Sequence, residues 1–212
     1  QSTEFLEPGQ PVLPEEFLAF KAKLVQLTNE AEVVTFNGSV PKGISAENYK
    51  ELIEETMAAG VPCIVDASGA LLTSCIDALP TMIKPNTDEI GQLLGREVTT
   101  EDQVIEAAQE LHKRGIKIVV VSLGAKGALM VSDEGTFRAN PPKIEAINPV
   151  GAGDTLVGSF AVALAQQKPT SECLTFALSC ATASCLSAGT GRFDQDVATK
   201  IQKQVTIKKI AE

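Results

Sequence analysis

The sequence has one histidine, no tryptophan and no two cysteines in a CxxC arrangement. His112 falls near the end of a predicted helix, where a partly charged side chain suits the negative end of the helix dipole. One histidine in such a place argues against Ser-His-Asp, Cys-His and histidine-metal mechanisms. Any chemistry in this chain must therefore use carboxylates, lysines, hydroxyls and backbone amides.

The cysteines are few and odd in number, and most of them lie in apolar stretches. They are Cys63, Cys75, Cys173, Cys180 and Cys185. A reduced cysteine behaves as a small hydrophobic residue and typically occupies such positions. The pattern favours core packing over redox or zinc chemistry.

Basic residues are scarce as well, since 18 Lys and Arg stand against 27 Asp and Glu, for a net charge of −9. No run of Lys or Arg could follow a phosphate backbone, which argues against nucleic acid and acidic membranes as partners. No apolar segment reaches the roughly 18 residues of a spanning helix, and the first residues lack a basic region followed by an apolar run. We therefore expect a cytoplasmic protein with no nucleic-acid partner and no membrane partner.

From residue 33 onward, short runs of β-branched residues alternate with helical patterns. EVVTFNG, VPCIVDA and IKIVVVSLG predict strands, and SAENYKELIEETMAAG predicts a helix that Ser45 caps and Gly60 ends. Continuous hydrophobic strands separated by helices predict an α/β fold, in which a mainly parallel sheet is covered on both faces.

The second half of the chain adds two features to this pattern. GALMVSDEGTFRANPP predicts an antiparallel hairpin at a sheet edge, with its turn at residues 133–135. Two unusually apolar helices are expected over roughly 153–167 and 171–187, with Pro169 between them. We expect both helices to be buried.

Glycine-rich and polar turns follow the predicted strands. Functional groups of an α/β sheet gather at the carboxyl ends of its strands. The residues at these places are Asn37–Ser39 with Pro41–Gly43, Asp66, Lys84–Asn86 with Glu89, Ser122–Gly127, and Gly151–Asp154. Glycine turns, hydroxyls, lysines and carboxylates together suit a site that handles phosphate.

The segment GAGD at residues 151–154 is the sharpest of these signals. Gly151 and Gly153 allow the backbone to aim its N–H groups at one point, and the following helix adds the positive end of its dipole. A carboxylate beside such an anion cradle can accept a hydroxyl proton while the cradle holds a transferring phosphoryl group. The alternative is a plain Gly-Ala-Gly turn, with Asp154 as a first-turn helix residue.

Two nucleotide-binding motifs are absent. The chain contains no GxxxxGK[ST], and GAGDTLVG has the spacing GxGxxxxG rather than GxGxxG. A P-loop and a Rossmann dinucleotide site are therefore excluded. SLGAKG, a turn after a buried strand, could present amides and Lys126 to phosphates, or could be an ordinary turn before the hairpin.

Five segments, in order, resemble the PfkB or ribokinase-like carbohydrate kinases. They are FNGSVPKGI, VDASG, IKPNTDEIGQLLG, VVVSLGAKGALMV and NPVGAGDTLVGSFAVAL. The resemblance implies a ribokinase-like three-layer α/β/α fold and the transfer of the ATP γ-phosphoryl group to a sugar, with Mg²⁺ as the metal. It also implies that the full-length protein is a homodimer.

The resemblance implies a role for each matched residue. Asp154 would be the catalytic base toward the sugar hydroxyl, and the amides of Gly151, Ala152 and Gly153 would form the anion hole for the γ-phosphoryl group. Glu89 would position magnesium through water. The nucleotide would contact Lys84, Asn86 and the turn formed by Ser122, Leu123, Gly124, Ala125, Lys126 and Gly127. Asn86 could instead be a helix N-cap, and Glu89 a surface charge.

The segment GSVPKG resembles the form found in 1-phosphofructokinases and tagatose-6-phosphate kinases. Ser39 and Lys42 would then hold the phosphate that the sugar already carries, as a hydroxyl and a positive charge do well. A solvated loop is the alternative for both residues. A neutral sugar or nucleoside as substrate, and a nucleotide-binding module without catalysis, are the competing functions.

The chain departs from the family pattern at its start. Members usually begin with a further glycine-rich signature, the first strands of the core and a small β lid, and we expect these to be absent here. The chain is interpreted as one ribokinase-like domain over residues 1–212, in which residues 1–32 lead in from the missing part. Without the lid, positioning of the sugar and exclusion of water would be poor.

Overall fold

The computed structural model describes residues 9–211 of the chain. The helices in this part are α1 (Pro14–Thr28), α2 (Ala46–Ala58), α3 (Gly69–Ile76), α4 (Thr87–Leu94), α5 (Glu101–Lys113), α6 (Ala152–Ala165), α7 (Thr170–Ser184) and α8 (Gln195–Gln202). The strands are β1 (Val34–Asn37), β2 (Cys63–Asp66), β3 (Met82–Ile83), β4 (Ile118–Ser122), β5 (Ala128–Ser132), β6 (Gly135–Asn140) and β7 (Thr206–Ala211).

The seven strands form one sheet in the order in which they occur in the chain. β1 to β4 are parallel, and β5, β6 and β7 each pair antiparallel to the preceding strand. Because β6 runs in the direction of β1 to β4, five of the seven strands point the same way. The expected mainly parallel α/β fold is confirmed.

Alternate side chains of the central strands enter cores on opposite faces of the sheet. In β4, Val119 and Val121 pack with the core formed by α1 to α5. Ile118 and Val120 pack with α6 and α7. Since residues two apart share a face of a strand, this uninterrupted apolar run supplies both cores. The result is the three-layer α/β/α arrangement.

Several local predictions are confirmed. Ser45 caps α2 by accepting the N–H of Asn48 at 3.1 Å. The two apolar helices are α6 and α7, which pack against each other over one face of the sheet. The expectation that both are buried holds for α7 and not for α6, where Val162 is 52% exposed. Four of the five cysteines are buried, and all five are free, as the prediction of core packing requires.

The hairpin prediction was right in form and wrong in place. β5 and β6 do form an antiparallel hairpin around residues 133–135. It does not lie at the edge, because β7 pairs with β6 and becomes the edge strand itself. The sequence analysis missed β7 because TIKKIA has two lysines at its centre and is mostly exposed, so it lacks the apolar run that marked the other strands.

The first part of the predicted lead-in, residues 1–8, lies outside the described residues. The remainder of the lead-in contains α1, which packs beside α2 with Phe17 in the core. Across residues 9–211 we find no helix with the length and apolar character needed to cross a bilayer.

Candidate functional site

The carboxyl ends of the parallel strands bring most of the predicted site residues to one edge of the sheet. Asn37, at the end of β1, is in register with Asp66, at the end of β2. Lys84 directly follows β3, and its N–H donates to the carbonyl oxygen of Val65 at 3.2 Å. Ser122 ends β4, and a parallel bridge links it to Asn86. The strand-end residues thus form one continuous row.

A buried ion pair lies in the middle of this row. Nζ of Lys84 is 3.1 Å from Oδ1 of Asp66, and the two side chains are 9% and 19% exposed. Burial raises the pKa of the Asp66 carboxyl, Lys84 opposes this increase, and the charges of Asp154 and Glu89 add to it. Three carboxylates therefore share the electrostatic environment of Lys84.

The N-terminus of α6 meets this ion pair on the same face of the sheet, since Asp66 shares a face with Ile64 and Lys84 with Met82. Gly151 caps the helix in the left-handed conformation (φ 81°). A Cβ built on Gly153 would lie 3.6 Å from Nζ of Lys84. The lysine thus lies directly beside the GAGD turn, and Asp154 is exposed in the first turn of the helix. This corner combines a cation, a helix N-terminus and an accessible carboxylate.

A second loop fixes the turn that precedes α6. A Cβ on Gly151 would lie 2.8 Å from Cγ2 of Thr190, so this position has no room for a larger residue. Nδ2 of Asn148 donates to the carbonyl oxygen of Ala188 at 3.2 Å, and its Oδ1 accepts the N–H of Val150 at 3.0 Å. The amide of Ala152 donates to the Pro149 carbonyl oxygen at 3.2 Å, so a bound anion would share this N–H.

Asn86 and Glu89 form a capping box at the start of α4. Oδ1 of Asn86 accepts the N–H of Glu89 at 2.9 Å, and Oε2 of Glu89 accepts the N–H of Asn86 at 2.8 Å. Asn86 is thus the helix N-cap that one reading of the sequence allowed. The box also holds the Glu89 carboxylate at the strand-end row, within electrostatic reach of Asp66.

The turn from Ser122 to Gly127 forms one wall of a groove of about 350 Å³. The other walls come from the N-termini of α4 and α5, which contribute Asn86, Thr100 and Glu101. Within the turn, Lys126 donates its N–H to Leu123 at 3.2 Å and Gly127 donates to Gly124 at 3.0 Å. The exposed segment of the turn is Gly124, Ala125 and Lys126.

Ser39 and Lys42 lie in an exposed loop after β1. The carbonyl oxygen of Lys42 accepts the N–H of Val12 at 2.7 Å, and Gly43 (φ 93°) approaches Val12 so closely that a Cβ would overlap its carbonyl oxygen. The backbone of this loop is therefore anchored, while both predicted phosphate contacts remain accessible to solvent.

The arrangement can bind an anion at the α6 N-terminus and supply an acceptor for a proton at Asp154. Residues 9–211 contain no cluster of three or more His, Cys, Asp or Glu side chains placed to hold a metal ion. This fits Mg²⁺ that arrives with a nucleotide, because Mg²⁺ is usually held by substrate phosphates and water with only one or two carboxylates. Asp66 and Glu89 are the carboxylates best placed for that role.

Sequence reasoning gave no role to Asp66, although it did place the residue at a strand end. The signal available was a carboxylate directly after a buried strand, one strand away from a lysine in the same position. Nothing in the sequence pointed to Arg138 or Thr190, which act on the site from β6 and from the loop after α7.

Comparisons with known proteins agree with this geometry. The family model described as pfkB family carbohydrate kinase matches residues 3–196. Tagatose-6-phosphate kinase from Staphylococcus epidermidis is 33% identical over 210 residues, which cover 98% of this chain and 68% of that protein.

Solved structures show the same likeness. Phosphofructokinase-2 from Escherichia coli in complex with potassium matches with a TM-score of 0.88 and 33% identity, over 94% of this chain and 65% of that one. The same enzyme in complex with fructose-6-phosphate gives a TM-score of 0.84 and 32% identity, over 94% and 64%. The chain therefore spans slightly less than two thirds of these two solved structures.

Proposed function

Because the chain belongs to the pfkB family of carbohydrate kinases, we propose that the protein transfers the γ-phosphoryl group of ATP to a ketohexose monophosphate. The product would be the bisphosphate, and the proposed substrates are tagatose 6-phosphate and fructose 1-phosphate. The observation that carries the proposal is the corner where Lys84, the GAGD turn and the exposed Asp154 adjoin one another.

Each group at this corner has a proposed part in phosphoryl transfer. Asp154 accepts the proton of the sugar hydroxyl, whose oxygen then forms a bond to the γ-phosphorus. The bond between that phosphorus and the β,γ-bridging oxygen breaks, and ADP leaves. Lys84 and the amides of Gly151, Ala152 and Gly153 oppose the negative charge on the transferring group.

The nucleotide would lie along the row of strand ends, in the groove between Asn86 and the turn at Ser122–Gly127. The pair of apolar helices α6 and α7 would supply the adenine pocket. Mg²⁺, which offsets phosphate charge in such transfers, would be held by the phosphates together with Asp66 and Glu89. Because Asp66 also pairs with Lys84, the same carboxylate would hold Mg²⁺ and the Lys84 ammonium group next to each other.

The choice of a phosphorylated sugar rests on the loop after β1. Lys42 and Ser39 present an ammonium group and a hydroxyl to solvent from an anchored backbone, as a phosphate contact requires. The similarity to tagatose-6-phosphate kinase supports the same substrate class. The homodimer stays a prediction.

The test is ADP release by the whole protein with a panel of acceptors. We expect turnover with tagatose 6-phosphate or fructose 1-phosphate that clearly exceeds turnover with ribose, a nucleoside or unphosphorylated fructose. Fructose 6-phosphate belongs in the panel, since the Escherichia coli neighbour was solved with it. A preference for neutral sugars would reject the role of Lys42, and ATP binding without sugar-dependent turnover would reject catalysis.

A further inference from the structure

Arg138 on β6 is bonded to the backbone of the turn that lines the nucleotide groove. Its Nη2 donates to the carbonyl oxygen of Lys126 at 3.0 Å. Its Nη1 donates to the carbonyl oxygens of Ala139 at 2.7 Å and Ala128 at 3.3 Å. The side chain is only 12% exposed. One guanidinium group therefore binds the carbonyl groups on both sides of Gly127 and a third one on β6.

The same side chain also reaches a second wall of the groove. Nε of Arg138 donates to Oε2 of Glu101 at 3.2 Å, and Glu101 is the first residue of α5. Glu101 and Lys126 both line the groove, whereas Arg138 does not. Arg138 thus lies behind the groove and links the wall formed by the turn to the wall formed by the helix.

The turn depends on such support, because its path leaves no room for adjustment at Gly127. This glycine has φ 97°, and a Cβ there would overlap the carbonyl oxygen of Ala139, which Arg138 also binds. In contrast, Gly124, Ala125 and Lys126 are exposed and pack against little. Exposed loop backbone is mobile unless its polar groups are fixed.

We propose that Arg138 is a positioning residue for the nucleotide. This inference rests on the proposed function, since it assumes that nucleotide phosphates bind in the groove. Arg138 would not contact the nucleotide. It orders the turn before binding, so that the ligand need not bear the entropy of ordering it. The planar fork of arginine suits several carbonyl groups at once, and the single ammonium group of lysine does not.

The experiment compares the whole wild-type protein with Arg138→Gln, Arg138→Lys and the control Arg114→Gln. Arg114 is an exposed arginine that pairs with Glu110 at the end of α5, so its loss removes a similar charge far from the turn. Calorimetry gives the Kd for ATP, and steady-state kinetics give kcat and the KM for each substrate.

We expect both Arg138 variants to raise the Kd and KM for ATP about tenfold, because small displacements of positioning groups carry large costs. The KM for the sugar phosphate should change less than about twofold, since this side chain acts only on the nucleotide groove. Arg114→Gln should match the wild type in every parameter.

A folded Arg138→Gln variant that binds ATP as tightly as the wild type would overturn the inference, as would full rescue by lysine. A wild-type protein that fails to bind ATP would instead reject the proposed function. If Arg138→Gln does not fold, hydrogen exchange in Arg138→Lys decides. The amides of Lys126 and Gly127 should exchange faster than in the wild type, and unchanged protection of both would refute the positioning role.

Discussion

Helices α4 and α6 begin at the same edge of the sheet and close their N-termini in opposite ways. α4 satisfies its first amides with its own side chains, through the reciprocal bonds of Asn86 and Glu89. α6 begins at Gly151, which has no side chain to accept from those amides. Glycine in place of a capping side chain costs a helix only about a few tenths of a kcal/mol. The difference suggests that the α6 N-terminus is left open for a ligand.

The N-terminus of α7 is closed in a third way, whereas α3 begins at Ser68 without a side-chain cap bond. α7 begins after Pro169, which cannot cap it with a side chain. Glu134 from the turn between β5 and β6 supplies the acceptor instead, and its two carboxylate oxygens take the N–H groups of Thr170 and Ser171. At α7 the helix start is therefore closed by another part of the molecule.

The largest expected effect comes from Asp154, the carboxylate at the open N-terminus. Asp154→Asn should lower kcat by about 10²- to 10⁴-fold, because the amide cannot accept the hydroxyl proton. The melting temperature should change little, since Asp154 is exposed. Asp196→Asn removes a first-turn carboxylate from α8 and serves as the matched control. Near-normal turnover of the Asp154 variant would show that the base is misassigned.

A substitution of Gly151 tests whether the turn before α6 requires the left-handed backbone conformation at this position. Gly151→Ala should lower the free energy of unfolding by about 1–3 kcal/mol, because alanine is strained at φ 81° and its Cβ would press against Thr190. Gly158→Ala is the control in the same helix, since nothing lies within 4 Å of that Cβ. It should stabilise the protein by about 0.5–1 kcal/mol. Urea denaturation measures both, and equal effects of the two changes would contradict the argument.

A substitution of Glu89 distinguishes its capping role at the start of α4 from a role in binding Mg²⁺. Glu89→Gln should leave the free energy of unfolding within about 0.5 kcal/mol, because glutamine also completes a capping box. The Mg²⁺ concentration for half-maximal rate should rise about tenfold, as losses near a metal commonly produce. Titration of Mg²⁺ at saturating substrates checks this result. An unchanged titration curve together with unchanged stability would leave Glu89 with only its capping role.

The smallest effect is expected at α7. Burial tends to raise the pKa of Glu134, but the N–H groups of Thr170 and Ser171 outweigh it and lower the pKa below its ordinary 4.5. The ionised carboxylate therefore stabilises the fold above pH 4.5, and this contribution is lost as the pH falls through the lowered pKa.

Glu134→Gln should thus cost about 0.5–1 kcal/mol at neutral pH, where exposure to solvent limits the effect. The difference from the wild type should shrink as the pH is lowered below 4.5. The control Glu172→Gln removes a carboxylate from the first turn of α7 without touching the cap. Urea denaturation at several pH values checks the trend, and a pH-independent difference would contradict the charge argument.

Much of the fold could be predicted because its signals are local. The run IKIVVVSLG marks β4, and Ser45 marks the start of α2. β7 could not be predicted in the same way, because its residues are exposed and its strand exists only by pairing with β6. The same distinction holds for the site. Asp154 follows a glycine turn that can be recognised in the sequence. The hydrogen bonds from Arg138 to the turn and to α5 instead join residues that are 10 to 37 positions apart in the chain.

The sequence by itself determined which residue types stand at the strand ends and where some helices begin, such as α2 after Ser45. These features depend on neighbouring residues, through side-chain periodicity, glycine conformation and N-capping. Only the tertiary structure decided that Lys84 pairs with Asp66 and adjoins the GAGD turn, and that Arg138 binds the backbone of the turn at residues 122–127. These contacts join distant segments, and their existence depends on sheet register and on which face each helix covers.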